Sequence, residues 1–222
     1  MFGYSFHWRT VWQEIPQLAE GAIVTLQIAV FSMLIGITLA VLLAVARRNE
    51  GSIASRLASV WIEVARNTPC LLQIYLAYFG LGALGINISS YAAVLGAIAF
   101  NNAGYLAEIL RGGFNSISQT QYAAAHSLGM NSFRVYSYVV LPQVFRVTFR
   151  PIMNQSMWAL LNTSLGMVIG LKELTGATQF AQSRSFRTFE FFLVAAAMYY
   201  VIAKIILGLA ALVQWRFLKG GR

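Results

Sequence analysis

The sequence predicts an all-α integral membrane protein with five transmembrane helices, a cytoplasmic helical loop, and an N-out/C-in orientation. Three observations carry this expectation. Of 222 residues, 58% are hydrophobic and only 10% are charged, against roughly 25% charged residues in an ordinary soluble domain. Uncharged runs recur at the length a helix needs to cross a bilayer. Positive charges gather on one set of connections between those runs. The formal net charge of +9 would suggest nucleic acid in a soluble chain, but beside so many apolar runs it points to anionic lipid at the cytoplasmic surface, with no nucleic acid expected. Cys70 is the single cysteine, so no internal disulfide forms, and with His7 and His126 isolated no metal-ligand set is expected.

One membrane domain, 1–222, is expected. Residues 1–21 carry Phe6, Trp8 and Trp12 ahead of Pro16 and Gly21, which predicts a short amphipathic segment lying at the interface. They lack the basic region, short apolar core and small-residue cleavage site of a cleaved signal, so the first span is expected to act as an uncleaved one. Ala22 to Ala46 is uncharged and Arg47 and Arg48 close it; as a helix it would reach about 37 Å across a hydrocarbon core of about 30 Å. Further spans are predicted over about Leu57–Phe79, Tyr91–Leu110, Pro151–Leu171 and Phe189–Trp215. Spans one to three thus occupy 22–111, a polar cytoplasmic loop 112–150, spans four and five 151–215, and a cytoplasmic tail 216–222.

Charge counting sets the orientation. With the N-terminus outside, the inner face holds Arg47, Arg48, Arg56, Arg111, Arg134, Arg146, Arg150, Arg216, Lys219 and Arg222, and the outer face Arg9, Lys172, Arg184 and Arg187. The richer face is the cytoplasmic one. In the loop, Ser118-Gln119-Thr120-Gln121 predicts a capping box. The helix it opens should run through Tyr122-Ala123-Ala124-Ala125-His126-Ser127-Leu128 and end at Gly129, which accepts the left-handed conformation. A second helix, opened by Asn131 or Ser132, should carry Phe133 to Val140 and break at Leu141-Pro142.

Several polar residues lie within the expected spans. Glu63 and Arg66 are three residues apart, as are Glu108 and Arg111, so each pair is predicted to neutralise itself on one helical face. Asn101, Asn102, Asn162, Thr163 and Ser164 sit at membrane depth, where an unsatisfied hydrogen-bonding group is costly. They either bond helix to helix or line a polar passage. Lys204 has no acid one turn away and is expected to snorkel or pair with another helix.

Gln121-Tyr122-Ala123-Ala124-Ala125-His126-Ser127-Leu128-Gly129, followed by Leu141-Pro142-Gln143, resembles the EAA loop of ABC importer permeases, with Ala123 where the family usually has Glu. Further fragments are similar to the polar amino acid permeases in the same order: Gly21-Ala22-Ile23-Val24-Thr25-Leu26, Arg66-Asn67-Thr68-Pro69, Gly104 to Gly113, Asn154-Gln155, Asn162-Thr163-Ser164-Leu165, Glu173-Leu174-Thr175 and Phe186-Arg187-Thr188-Phe189-Glu190. Leu161 replaces a Lys often found there.

The resemblance implies a permease subunit of an ATP-driven importer in the bacterial inner membrane. Such a subunit carries a polar amino acid, or a derivative such as an opine, delivered by a solute-binding protein. It further implies a second permease copy or a similar permease, and two ATP-binding subunits that hold ATP and Mg, with no cofactor in this chain. The coupling role falls on Ala124, Ala125, His126, Ser127, Leu128 and Gly129. A passage role falls on Asn101, Asn102, Asn162, Thr163 and Ser164. A gate or ATPase-contact role falls on Glu63, Arg66, Glu108 and Arg111. The chain itself has no Gly-rich Lys-Ser or Lys-Thr phosphate loop and no catalytic constellation, so it is not expected to be an enzyme. The alternatives are an ion-gradient-driven secondary transporter, disfavoured by the absence of an internal repeat, and an intramembrane enzyme.

Overall fold

The computed structural model describes residues 5–49 and 51–218, with side chains as far as Arg216. Residues 1–4 and the tail from 219, which carries Lys219 and Arg222 of the charge count, lie outside the described residues. The chain is helical wherever it is regular, in the order α1 Trp8–Ala46, α2 Ile53–Asn67, α3 Cys70–Tyr75, α4 Leu81–Ala83, α5 Ser90–Asn115, α6 Gln119–Ser127, α7 Ser132–Arg134, α8 Leu141–Asn162, α9 Leu174–Ser185 and α10 Thr188–Val213.

Three of these helices are long and apolar enough to cross a membrane: Trp8–Ala46, Ser90–Asn115 and Thr188–Arg216, the last including a π turn beyond α10. The two other expected spans are interrupted. The second divides into α2 and α3 at Thr68-Pro69, where Thr68 is extended (φ −119°, ψ 144°) because a proline disfavours helical geometry in the residue before it. A π turn, Leu76–Gly80, then joins α3 to α4. The fourth consists of α8 and a 3-10 stretch, Thr163–Ile169, closed by Gly170 at φ 77°.

One expectation is refined and one is corrected. Residues 8–21, expected as a short interfacial segment, are continuous with the first span in α1, with Pro16 inside it. Tertiary packing decides this, since Val11 and Leu18 are buried in one cluster with Leu174, Ala177, Ala181 and Phe191 of α9 and α10. The helix does not break at Leu141-Pro142. A π segment, Val135–Val140, feeds directly into α8, and Pro142 falls in its first turn, where a missing N–H costs little.

Helix α5 is the hub. Its longest contact is with α1, where Gly36 lies so close to Asn102 that an added Cβ would come within 2.7 Å of the Asn102 Cβ. A Cβ on Gly104 would come within 2.6 Å of Ala65 on α2, and Gly113 is pressed against Thr148 of α8. Small residues let backbones approach closely where lipid provides no hydrophobic drive between helices. One apolar core, including Ile28, Ile62, Ile74, Ile98, Leu106 and Ala159, joins α1, α2, α3, α5 and α8. A second joins the start of α1 to α9 and α10.

Candidate functional site

The loop after α5 forms a small unit around Ile117, Ala125, Val135, Val140 and Val144. Helix α6 has only Ala125 buried, at 5% exposure, with Tyr122 half-buried against the same cluster and edge-on to the Tyr136 ring, while its remaining residues face outward. Ala124, His126, Ser127, Leu128 and Gly129 are all exposed. Leu128 at 83% and Phe133 at 79% form the most apolar part of that surface. The C-terminus is a Schellman motif: Met130 N donates to Ala125 O at 3.2 Å, Gly129 N to His126 O at 2.9 Å, and Gly129 has φ 77°. The N-terminus differs from expectation. Ser118 is the N-cap, but its side chain accepts no capping bond. Gln121 instead accepts from Gln143 Nε2 at 2.6 Å, so the amide that would have closed a capping box ties α6 to the start of α8. Asn131 caps the next helix as expected, its side chain accepting from Arg134 N at 3.0 Å.

The charged residues regroup around Glu108. Arg111 donates to it at 2.6 Å, as the i, i+3 spacing predicts. Arg47, at the end of α1, reaches the other carboxylate oxygen at 2.5 Å. The expected Glu63–Arg66 pair does not form. Glu63 is exposed, while Arg66 lies 3.7 Å from Glu108 and 5.6 Å from the Tyr105 ring centroid. Glu108 is the better partner because α2 crosses α5 at Gly104, which brings Arg66 within reach of a carboxylate only 16% exposed. One glutamate thus faces three guanidiniums from α1, α2 and α5, a group with surplus positive charge.

The buried amides form a second cluster, and the break at Thr68-Pro69 explains it. Ending α2 leaves carbonyls without intrahelical donors. Asn101 Nδ2 and Gln73 Nε2 donate to Ala65 O at 2.8 and 3.1 Å. Gln73 Nε2 also reaches Thr68 O and Thr68 Oγ1, and Tyr105 Oη donates to Arg66 O at 3.2 Å. Asn101 Nδ2 lies 3.1 Å from Gln73 Oε1, and Gln155 Nε2 on α8 donates to Asn102 Oδ1 at 2.8 Å. Among the described residues, Asn101 Oδ1 and Asn102 Nδ2 are buried without a hydrogen-bond partner. Asn162, Thr163 and Ser164 do not join this cluster. Each bonds to a carbonyl of its own helix, at Trp158, Leu160 and Leu161. Gln73 and Gln155 are the members that the sequence reading missed as partners; an amide inside an apolar run was the available signal.

At the other end of the bundle, Glu173 caps α9 and is fully buried. It accepts from Thr175 N at 2.9 Å, Gly176 N at 2.8 Å, Tyr199 Oη at 2.8 Å and Thr25 Oγ1 at 3.4 Å. Burial pushes its carboxyl above the ordinary carboxylate range, and these donors limit the rise. The site binds α9 to α1 and α10. Glu190, also fully buried, accepts from His7 N at 3.0 Å, and Arg187 donates to Ser5 O at 2.9 Å, so the start of the chain is laced to the start of α10.

Comparisons with known proteins give the family of the chain. Residues 32–219 match the model of the binding-protein-dependent transport system inner membrane component. The chain is 35% identical over 203 residues to the glutamine transport system permease protein GlnP of Escherichia coli K12, covering 90% of this chain and 93% of that one. It is 33% identical over 214 residues to the nopaline transport system permease protein NocM of Agrobacterium fabrum, covering 91% and 88%. A solved structure described as an amino acid ABC transporter with histidines superposes with a TM-score of 0.88 at 30% identity, covering 96% of this chain and all of that chain. A methionine ABC transporter in an inward-facing form, at 15% identity and a TM-score of 0.70, shares the fold. On this match across most of its length, the chain belongs to the family of binding-protein-dependent transport system inner membrane components.

Proposed function

We propose that the chain is the permease subunit of an ATP-driven importer that carries a polar amino acid, or a derivative such as an opine, across the bacterial inner membrane. The observation that carries this reading is α6. It is a short helix held by buried Ala125, half-buried Tyr122, the Gln121–Gln143 bond and a Schellman end, offering an exposed face with Leu128 and Phe133 beside it. A nine-residue helix is marginal alone, and such a surface suits a partner that moves it. The chain is a transport component, and ATP hydrolysis is by a separate subunit.

Five spans with the N-terminus outside place α6 in the cytoplasm. The broken second and fourth spans count as crossings because irregular backbone at membrane depth is tolerated where protein encloses it. Two ATP-binding subunits, holding ATP and Mg, engage Ala124, Ala125, His126, Ser127, Leu128 and Gly129. A second permease copy or a similar permease completes the passage, and a solute-binding protein delivers substrate outside. Asn101, Asn102, Asn162, Thr163 and Ser164 belong to the wall of the passage; Asn101 Oδ1 and Asn102 Nδ2, buried here without partners among the described residues, become an acceptor and a donor for the ammonium and carboxylate of an amino acid in a state in which the helices part. Arg66, Glu108 and Arg111 form a gate element with Arg47, and Glu63, exposed on α2, belongs to the contact with a neighbouring subunit.

Reconstitution tests the reading. In proteoliposomes holding the permease, the ATP-binding subunit and the binding protein, uptake is expected only with internal ATP, and Gly129→Phe is expected to leave ATP hydrolysis while abolishing uptake. Uptake by this chain alone on an ion gradient would overturn the proposal.

A further inference from the structure

The turn between α9 and α10 contains the only non-glycine residue with positive φ among the described residues, Phe186 at φ 57° and ψ 25°. A bulky side chain is disfavoured in the left-handed region, where its Cβ crowds the following carbonyl oxygen. Glycine or asparagine commonly fills such a helix end. Here the chain places a phenylalanine that is 84% exposed, the most exposed large hydrophobic residue among those described. Packing within this chain therefore does not compensate the strain.

The surroundings are of one sign. Lys172 and Arg184 both lie over the ring of Phe180, at 4.8 and 5.7 Å from its centroid, and Phe180 is itself 42% exposed. Every ion pair among the described residues involves Glu108, so Lys172 and Arg184 have no acidic partner among those residues. Glu173 and Glu190, the nearest acids in sequence, are fully buried. Nor does the turn itself lack anchorage. Phe186 N donates to Gln182 O at 2.8 Å, and Gln182 Nε2 donates to Thr188 Oγ1 at 2.8 Å, which fixes how the aromatic projects.

We infer that Phe186, together with the Lys172 and Arg184 cations stacked on Phe180 of the helix leading into its turn, is where the solute-binding protein docks, Phe186 entering an apolar notch in an acidic face of that partner. This rests on the orientation proposed above, which puts the α9–α10 turn outside. An exposed aromatic at the end of a helix on which exposed cations stack has the composition of an interface hot spot, and like-signed cations without acidic partners among the described residues call for an anionic surface. Backbone strain found together with such exposure is a pointer to function. Cation–π stacking on Phe180 holds the two charges in place while leaving them unneutralised.

The test uses the whole transporter in nanodiscs of phosphatidylcholine, titrated with its binding protein. Phe186→Gly relieves the positive φ, so it is expected to fold at least as stably and to leave ATP hydrolysis without binding protein unchanged, while weakening docking about tenfold. The double variant Lys172→Glu/Arg184→Glu is expected to weaken docking to a similar degree and to flatten its salt dependence. Docking by both variants equal to the parent overturns the inference. So does docking that depends on added anionic lipid and not on these residues, which would make the turn a lipid anchor. Failure of the parent complex to bind any binding protein would instead strike the importer reading itself.

Discussion

At the scale of single residues, Gln73 shows how a break in a helix is made tolerable. Its amide N–H group serves Ala65 O, Thr68 O and Thr68 Oγ1, and its oxygen accepts from Asn101. Gln73→Leu keeps the bulk and strands those acceptors, at an expected cost of about 1–3 kcal/mol. The check is thermal unfolding in detergent, and an unchanged midpoint would mean that Asn101 alone satisfies the break. Glu173 carries a pH signature. Its folded-state value lies above the ordinary 4.5, so the stability it contributes is full below that value and is lost as pH rises through the raised one. Glu173→Gln removes the titration. The unfolding midpoint of the parent, relative to the variant, is expected to fall as pH rises above 4.5, and parallel profiles would refute this. Neither role could be found from sequence. Glu173 stood out only as part of a family fragment, because the side chains that donate to it, Tyr199 and Thr25, lie 26 and 148 residues away.

At the scale of elements, local chemistry was readable where it is local. Gly129 ends α6 in the left-handed conformation and Asn131 opens the next helix, both from preferences that neighbours do not override. The capping box failed because Gln143, brought close by the fold, competes for Gln121. The three-residue rule succeeded for Glu108–Arg111 and failed for Glu63–Arg66 for a like reason: spacing shows which pairs can meet, and the crossing of α2 over α5 supplied Arg66 with another acid. The resulting hub is a claim about three helices. Glu108→Gln leaves Arg47, Arg66 and Arg111, with side chains 33%, 42% and 54% exposed, to repel one another. After solvent screening this amounts to about 1–2 kcal/mol, less at high salt. Arg111→Gln leaves two arginines to neutralise Glu108 and is expected to cost less. Equal losses in thermal stability for the two variants would reduce the hub to a single pair.

At the scale of the whole molecule, hydrophobicity predicted membrane helices but not their continuity. Thr188–Arg216 is long, apolar and mostly exposed, as a lipid-facing helix should be, whereas the second and fourth spans are divided by Pro69 and by the 3-10 turn ending at Gly170. Only helix packing shows that such fragments are enclosed. The orientation has its own test, helped by the burial of the native Cys70, which leaves little background for thiol labelling. Ser183, exposed near the end of α9, and Ser127, exposed at the end of α6, report on opposite sides if an odd number of crossings separates them. On the proposed path α8 and the 3-10 segment together make that one crossing. In intact cells a membrane-impermeant maleimide is therefore expected to label Ser183→Cys, and to label Ser127→Cys only after the membrane is opened. Reversal of that pattern would invert the topology and move α6 away from any cytoplasmic ATPase; labelling of both from outside would remove the fourth span altogether.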